Sequence, residues 1–235
     1  MLSVFVILLS AHSFGDFLLQ TDAMAKNKAK PWILVFHSLL HGALVYGLLQ
    51  QWSAWQMPVA VTVLHAVIDF FKSHREATPT TFIWDQAAHA VSLAILAPIA
   101  VNLGWCSPFV GHGWMWIVGL AGFVAVVQGA GFFVGAIAKK LVAANRDLEK
   151  TITAGLKDGG KQIGRLERAL IFAFILVGEP TGIGFLVTAK SILRFEEAKQ
   201  QPVAEYVLIG TLWSFGLAMA LAWLTQRALT LAVGP

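Results

Sequence analysis

Four pairs of ligand-type side chains, each spaced four residues apart, stand in the first half of the chain: His12/Asp16, His37/His41, His65/Asp69 and Asp85/His89. Residues i and i+4 share one face of a helix, about a turn apart, so four helices would each carry a two-pronged polar stripe. Gln20 extends the first stripe, Lys72 follows Asp69 by three residues, and Gln86 adjoins Asp85. Imidazole and carboxylate together suit Zn²⁺, Mn²⁺ or non-haem iron. Eight such groups suffice for about two ions, each with an open position, and zinc is the first choice of metal. A metal lowers the pKa of bound water toward neutrality, which makes hydrolysis the expected chemistry. Asp16 or Asp69 would then serve as general base where it is not a ligand, and an aspartate could instead orient a histidine. Lys72 and Arg75 at the mouth would hold an anionic headgroup, with Gln20 and Gln86 as further substrate contacts.

The elements that must position these residues are set by composition. The chain has 235 residues, 57% hydrophobic and 13% charged, with a mean hydropathy of +0.69. Soluble domains carry roughly 25% charged residues, and a soluble fold of this size cannot hide so much apolar surface. That excludes a soluble enzyme, a disordered chain and a nucleic-acid-binding domain, and leaves an all-α integral membrane protein. Apolar runs at 2–21, 31–50, 56–73, 82–102, 113–138 and 204–226 are read as six transmembrane spans. The first run lacks a basic start and a small-residue cleavage site, so it is taken as a span and not a leader. Residues 164–195 fit less easily, because Gly178–Gly182 interrupts the apolar run and Lys190 and Arg194 follow it. A broken re-entrant or interfacial helix pair keeps those charges on the basic side; a seventh span is the alternative. Residues 139–161 are expected to form a charged helix and a flexible link. The organisation is a four-helix metal-site core, 1–112, followed by 113–235 with the fifth span, the charged segment, the broken pair and the last span.

Basic and uncharged connections alternate. Lys26, Lys28 and Lys30 follow the first span, Lys72 and Arg75 the third, and eight basic residues lie within Lys139–Arg168, whereas Gln50–Met57 and Asn102–His112 hold no charge. The positive-inside rule places the basic connections in the cytoplasm and the amino terminus outside. At 1.5 Å per residue, His12, His41, His65 and His89 all fall roughly 10–15 Å from the cytoplasmic boundary. Asp16, His37, Asp69 and Asp85 form a second layer one turn closer to it. Isolated buried histidines are usually hydrogen-bonded core residues, but four pairs at one depth are not explained that way. Ionisable groups in a bilayer are costly and mark functional sites, and Trp114–Ala138 and Tyr206–Leu224 contain no His, Asp or Glu.

Other features carry less. Glu179 and the group Lys190, Ser191, Arg194, Glu205 and Tyr206 could form a second polar site, but helix-end anchoring accounts for them more simply. His74 and His112 are read as bystanders, Gln128 as part of close helix packing, and tryptophans near span ends (Trp32, Trp52, Trp84, Trp105, Trp114) as interface anchors. Cys106 is the lone cysteine, so no internal disulfide is expected.

The motifs His12-Ser-Phe-Gly-Asp16-Phe-Leu-Leu-Gln20, His37-x-x-x-His41, His65-x-x-x-Asp69-x-x-Lys72 and Asp85-Gln86-x-x-His89 resemble those of a bacterial membrane family, domain of unknown function 3307. The resemblance covers the first 110 residues, and Gly164–Glu197 and Ala204–Ser214 look similar to the extension of its longer members. It implies a multi-pass protein of the bacterial inner membrane and leaves the reaction open. A looser similarity to membrane-bound metal-dependent hydrolases agrees with the expected chemistry: hydrolysis, from the cytoplasmic side, of a lipid or lipid-linked phosphate ester. The alternatives are a divalent-metal transporter, which usually shows repeated halves, and a di-iron membrane oxidase or haem protein, whose sites do not explain the aspartates.

Overall fold

The computed structural model describes residues 1–108, 113–145, 158–193 and 201–233. Among them there is no strand, and the chain is an all-α bundle. Helix α1 (Leu2–Phe14) runs into a π turn, Gly15–Leu19, and is followed by the short α2 (Asp22–Lys26), α3 (Pro31–Leu49), α4 (Gln56–Ser73) and α5 (Pro79–Asn102). Then come α6 (Met115–Val124), a second π turn (Ala125–Gly129), α7 (Ala130–Ala143), α8 (Gly159–Leu176), α9 (Thr181–Leu193) and α10 (Gln201–Val233). Five stretches are long and apolar enough to cross a bilayer: Leu2–Leu19, Pro31–Leu49, Pro79–Asn102, Met115–Ala143 and Gln201–Leu231. The remaining expected span, α4, is an 18-residue helix, about 27 Å long. His65, Asp69 and Lys72 lower its apolarity, which keeps it outside those five. This is a membrane protein.

Contacts divide the chain into two units, Met1–Val124 with Ala228–Pro235, and Ala125–Arg227. In the first, α1 packs against α3, α5 and α6, while α4 packs against α3 and α5. Leu2–Leu19 is 61% buried, against 39% for α3 and 28% for α5, so α1 is the inner helix of the bundle. Its Val4, Ile7, Leu8 and Ala11 meet Val45, Leu49, Met57, Val61, Leu93 and Ala97. The outward faces are also apolar: Val35, Phe36 and Leu39 on α3, Val59, Val63 and Val67 on α4, and Trp84, Val91 and Ile95 on α5 are exposed. Such faces are what hydrocarbon solvates.

Local chemistry fixes the helix ends. Pro31 and Pro79 occupy first-turn positions, where a missing N–H costs nothing. Thr78 and Thr81 form a reciprocal capping box before α5, and Thr21 accepts from the Met24 N–H before α2. At the opposite end of the bundle, the Gln51 side chain donates to the Ser107 carbonyl (2.8 Å) and accepts from the Ser107 N–H (2.7 Å). The two uncharged connections are therefore pinned together.

In the second unit, Val126, Ile171, Phe172, Ile183, Phe215 and Ala218 share a core. The segment expected as a broken pair is two helices, α8 and α9, interrupted at Val177–Pro180, where Gly178 takes a left-handed φ of +79°. The Arg168 guanidinium is buried, donating from Nε and Nη2 to the Val127 carbonyl in the second π turn and from Nη1 to Ser214 Oγ. A π turn leaves backbone groups out of register with the regular ladder, and Arg168 satisfies one of them. The expected flexible link around 146–157 lies outside the described residues.

Candidate metal centre

The four stripes meet. His37 and Asp69 have no solvent exposure, and His12, Asp16, His41, His65, Asp85 and His89 have no more than 6%. Four of the imidazoles close on one another in the layer expected from their depth. The His41 and His65 rings stack with centroids 3.6 Å apart and His65 and His89 at 4.3 Å, while His12 is tilted against His89 at 4.5 Å. Beside them is a cavity of ≈ 10 Å³, bounded also by Val61, Leu64, Ser92 and Leu93, about the space of one water.

The carboxylates reach in from the adjacent turn. Asp16 sits in the π turn that opens at Gly15, whose carbonyl accepts from the Gln20 N–H (3.0 Å). Asp16 Oδ1 lies 3.0 Å from His37 Nε2, 3.4 Å from His41 Nε2 and 3.7 Å from His65 Nε2. Its Oδ2 faces the other way, 3.8 Å from His12 Nε2 and 3.3 Å from Gln86 Nε2. Asp69 Oδ2 is 3.1 Å from His65 Nε2, and Asp85 Oδ1 is 3.5 Å from His89 Nε2.

One contact determines what the first group of ligands can do. His41 Nδ1 lies 3.0 Å from the His37 carbonyl oxygen. A carbonyl only accepts, so Nδ1 carries the proton and the neutral ring presents the Nε2 lone pair to the cluster. That Nε2 makes no hydrogen bond and faces Asp16 Oδ1. Two acceptors facing each other in a buried site are repulsive unless a proton or a metal cation lies between them. A ring whose far N–H is tied to a backbone carbonyl is also the usual arrangement of a metal-ligating histidine. Asp16, His37, His41 and His65 each offer a ligand atom within 4.8 Å of the others, as do His12, His65 and His89, and Asp16, Asp85 and His89. The chemistry of these donors suits a borderline transition metal.

Two lysines complete the cluster. Lys72 Nζ donates to Asp85 Oδ2 (2.5 Å). Lys28, buried at 6% exposure, places Nζ 2.6 Å from Asp69 Oδ2 and donates to Gln20 Oε1 (3.0 Å). Sequence reasoning missed Lys28: it is one of three lysines in a connection, and no helical period marks it. Gln86 is part-buried beside the cluster, its amide donating to Asp16 Oδ2 and to Asp85 Oδ2 (2.9 Å).

Arg75 is exposed in the turn after α4, with no contact to the cluster. His74 is also exposed and donates from Nδ1 to the Phe70 carbonyl (2.7 Å), as a bystander would. The other polar group is not gathered among the described residues. Lys190 pairs with Glu167 (2.8 Å), Ser191 donates to the Val187 carbonyl of its own helix, Glu205 accepts from Gln201, and Glu179 is exposed. Tyr206 lines a shallow surface cavity with Lys139. Gln128 accepts from Arg165 (3.2 Å). His112 and Arg194 lie outside the described residues.

Fold and site together define a polytopic helical membrane protein with a buried histidine–aspartate cluster in its amino-terminal bundle. Residues 4–116 match the model of the family described as "Protein of unknown function (DUF3307)". All eight clustered ligand-type residues fall within the match. No curated protein and no solved structure matches the chain, so the looser likeness to membrane-bound hydrolases has no support from these comparisons.

Proposed function

We propose that the protein is a membrane-embedded metal-dependent hydrolase of the bacterial inner membrane, with its amino terminus outside, acting from the cytoplasmic side on a lipid or lipid-linked phosphate ester. The observation that carries this reading is the His41 Nε2 lone pair, held toward Asp16 Oδ1 by the bond from Nδ1 to the His37 carbonyl. Asp16, His37, His41 and His65 would hold a divalent ion, zinc in the first instance, and manganese or iron as alternatives. Bound there, the ion would supply a water of lowered pKa and an electrophile for an ester oxygen.

The chain's own residues do the rest. Asp69 is paired with Lys28, and its Oδ2 lies 3.1 Å from His65 Nε2, where it adds negative charge beside the ion's ligands. Burial of every ligand favours a resident ion over one exchanged in each cycle, which weighs against the transport reading. Lys72 has a side chain 32% exposed at the edge of the cluster, where its ammonium can meet an anionic headgroup. The pairing of the uncharged connections through Gln51 and Ser107 puts the lysines at the other end of the bundle and supports the orientation.

The test is metal analysis of protein purified in detergent, followed by a screen of phosphorylated and esterified lipids, with metal flux measured in proteoliposomes. Tightly held zinc, manganese or iron, lipid hydrolysis that fails in His41→Ala, and no flux are expected. Saturable metal flux from protein isolated metal-free would replace this reading with transport.

A further inference from the structure

The ion site proposed above uses one side of Asp16. The other side is built in the same way but is filled by the protein itself. Asp16 Oδ2, Asp85 and His89 bound a second position, and one ligand atom from each of these residues lies within 4.8 Å of the others. Asp85 Oδ1 and His89 Nε2, on residues 5% and 2% exposed, have no hydrogen-bond partner and face each other at 3.5 Å. Hydrogen-bond donors hold the other oxygen of Asp85 and the Oδ2 of Asp16. The Gln86 amide nitrogen bridges Asp16 Oδ2 and Asp85 Oδ2, and Lys72 Nζ caps the same Asp85 oxygen.

We propose that Lys72 is a displaceable plug in a second divalent-cation position bounded by Asp16, Asp85 and His89. With Lys72 seated the cluster takes one ion; with Lys72 withdrawn it takes two, bridged by the Asp16 carboxylate. This rests on the first ion site being real. Charge supports the assignment. Three carboxylates face two lysine ammoniums, so the empty site carries a net charge of −1 and one divalent ion makes it +1; withdrawing Lys72 lowers by one the positive charge that a second ion meets. Lys72 is the one able to leave. Its side chain is a third exposed at the end of α4, and a four-carbon stem can carry the ammonium out to the interface. The Lys28 side chain is 8% exposed and held by both Asp69 and Gln20, so it stays. A substrate anion that draws Lys72 outward would open the second position at the moment the headgroup arrives.

The experiment is equilibrium dialysis of the full-length protein in detergent against Zn²⁺, with metal counted per chain. Wild type, Lys72→Met, Lys72→Gln, and Lys72→Met combined with Asp85→Asn are compared, each first shown monodisperse by gel filtration. One ion in wild type, two in both single variants and one again in the double variant is expected. One ion in every variant overturns the plug while leaving the first site intact, and two in wild type overturns it as well. No ion in any of them removes the first site and the plug together.

Discussion

Gly15 lies directly against the imidazole of His41, so close that a Cβ at position 15 would overlap the ring. Replacing an exposed helical glycine with alanine normally stabilises by up to about 1 kcal/mol. Here the neighbour is a ring locked by its own hydrogen bond to the His37 carbonyl, so the sign reverses. Gly15→Ala should destabilise by about 1–3 kcal/mol, as overpacking does, and lower metal content by turning His41 aside. Thermal unfolding and metal analysis check this; a more stable variant with full metal would show that the ring is free to move.

Lys28 should behave unlike its neighbours. Removing one partner of a buried ion pair leaves an uncompensated charge at a cost of about 3–5 kcal/mol. Lys28→Met should therefore lower the melting temperature of the metal-free protein sharply, and adding Asp69→Asn should recover part of the loss. The exposed Lys26, changed to Met, should alter stability by no more than about 0.5 kcal/mol. Equal melting curves for the two methionine variants would contradict the ion pair.

That contrast shows what a sequence can disclose about this cluster. The pairs His12/Asp16, His37/His41, His65/Asp69 and Asp85/His89 were legible because spacing by four fixes a shared face whatever the helix packs against. Their common depth followed from counting residues to the basic connections. Lys28 was hidden because α2 and its flanking turns obey no single period, and only the return of the chain toward α3 carries its ammonium onto Asp69. Arg75, two residues past the end of α4, faces solvent because the helix stops at Ser73. The π turn at Gly15–Leu19 left no mark in the residue pattern, yet it sets which oxygen of Asp16 faces which histidines.

Ion binding should move a proton at His37. Its Nε2–H donates to Asp16 Oδ1 (3.0 Å), while Nδ1 is buried and has no hydrogen-bond partner. A neutral ring that gives Nε2 to the ion carries its proton on Nδ1 instead and releases none, whereas a charged ring would lose one proton and gain affinity by about tenfold per pH unit. Calorimetry in buffers of different ionisation enthalpy should show no net release near neutral pH; release of a full proton would mean that the ring starts as imidazolium.

Orientation can be tested with introduced thiols, because Cys106 itself is a poor reporter. It is 6% exposed, and burial pushes its thiol pKa up. In a Cys106→Ser background, Ser53→Cys at the uncharged end and Ala77→Cys at the lysine end are both exposed positions. A membrane-impermeant maleimide should label Ser53→Cys on intact cells and Ala77→Cys only after lysis. The reverse pattern would invert the protein in the membrane.

The modest apolarity of α4 bears on how the bundle is made. An ionisable group inside a span is costly, up to about 2.5–3.5 kcal/mol for an aspartate or lysine at a helix centre and less toward the ends, and α4 carries His65 at mid-depth with Asp69 and Lys72 in its last turns. Entering alone, it would be retained poorly by hydrocarbon. Only a short connection joins it to the strongly apolar α3, the helix against which it packs most extensively, so the two are suited to enter as one hairpin with α3 as the carrier. Lipid offers packed helices no hydrophobic reward for association. The histidine and aspartate that make α4 a weak solitary passenger then join the adhesive that recruits α1 and α5, and biogenesis is completed by the same groups that would bind the ion.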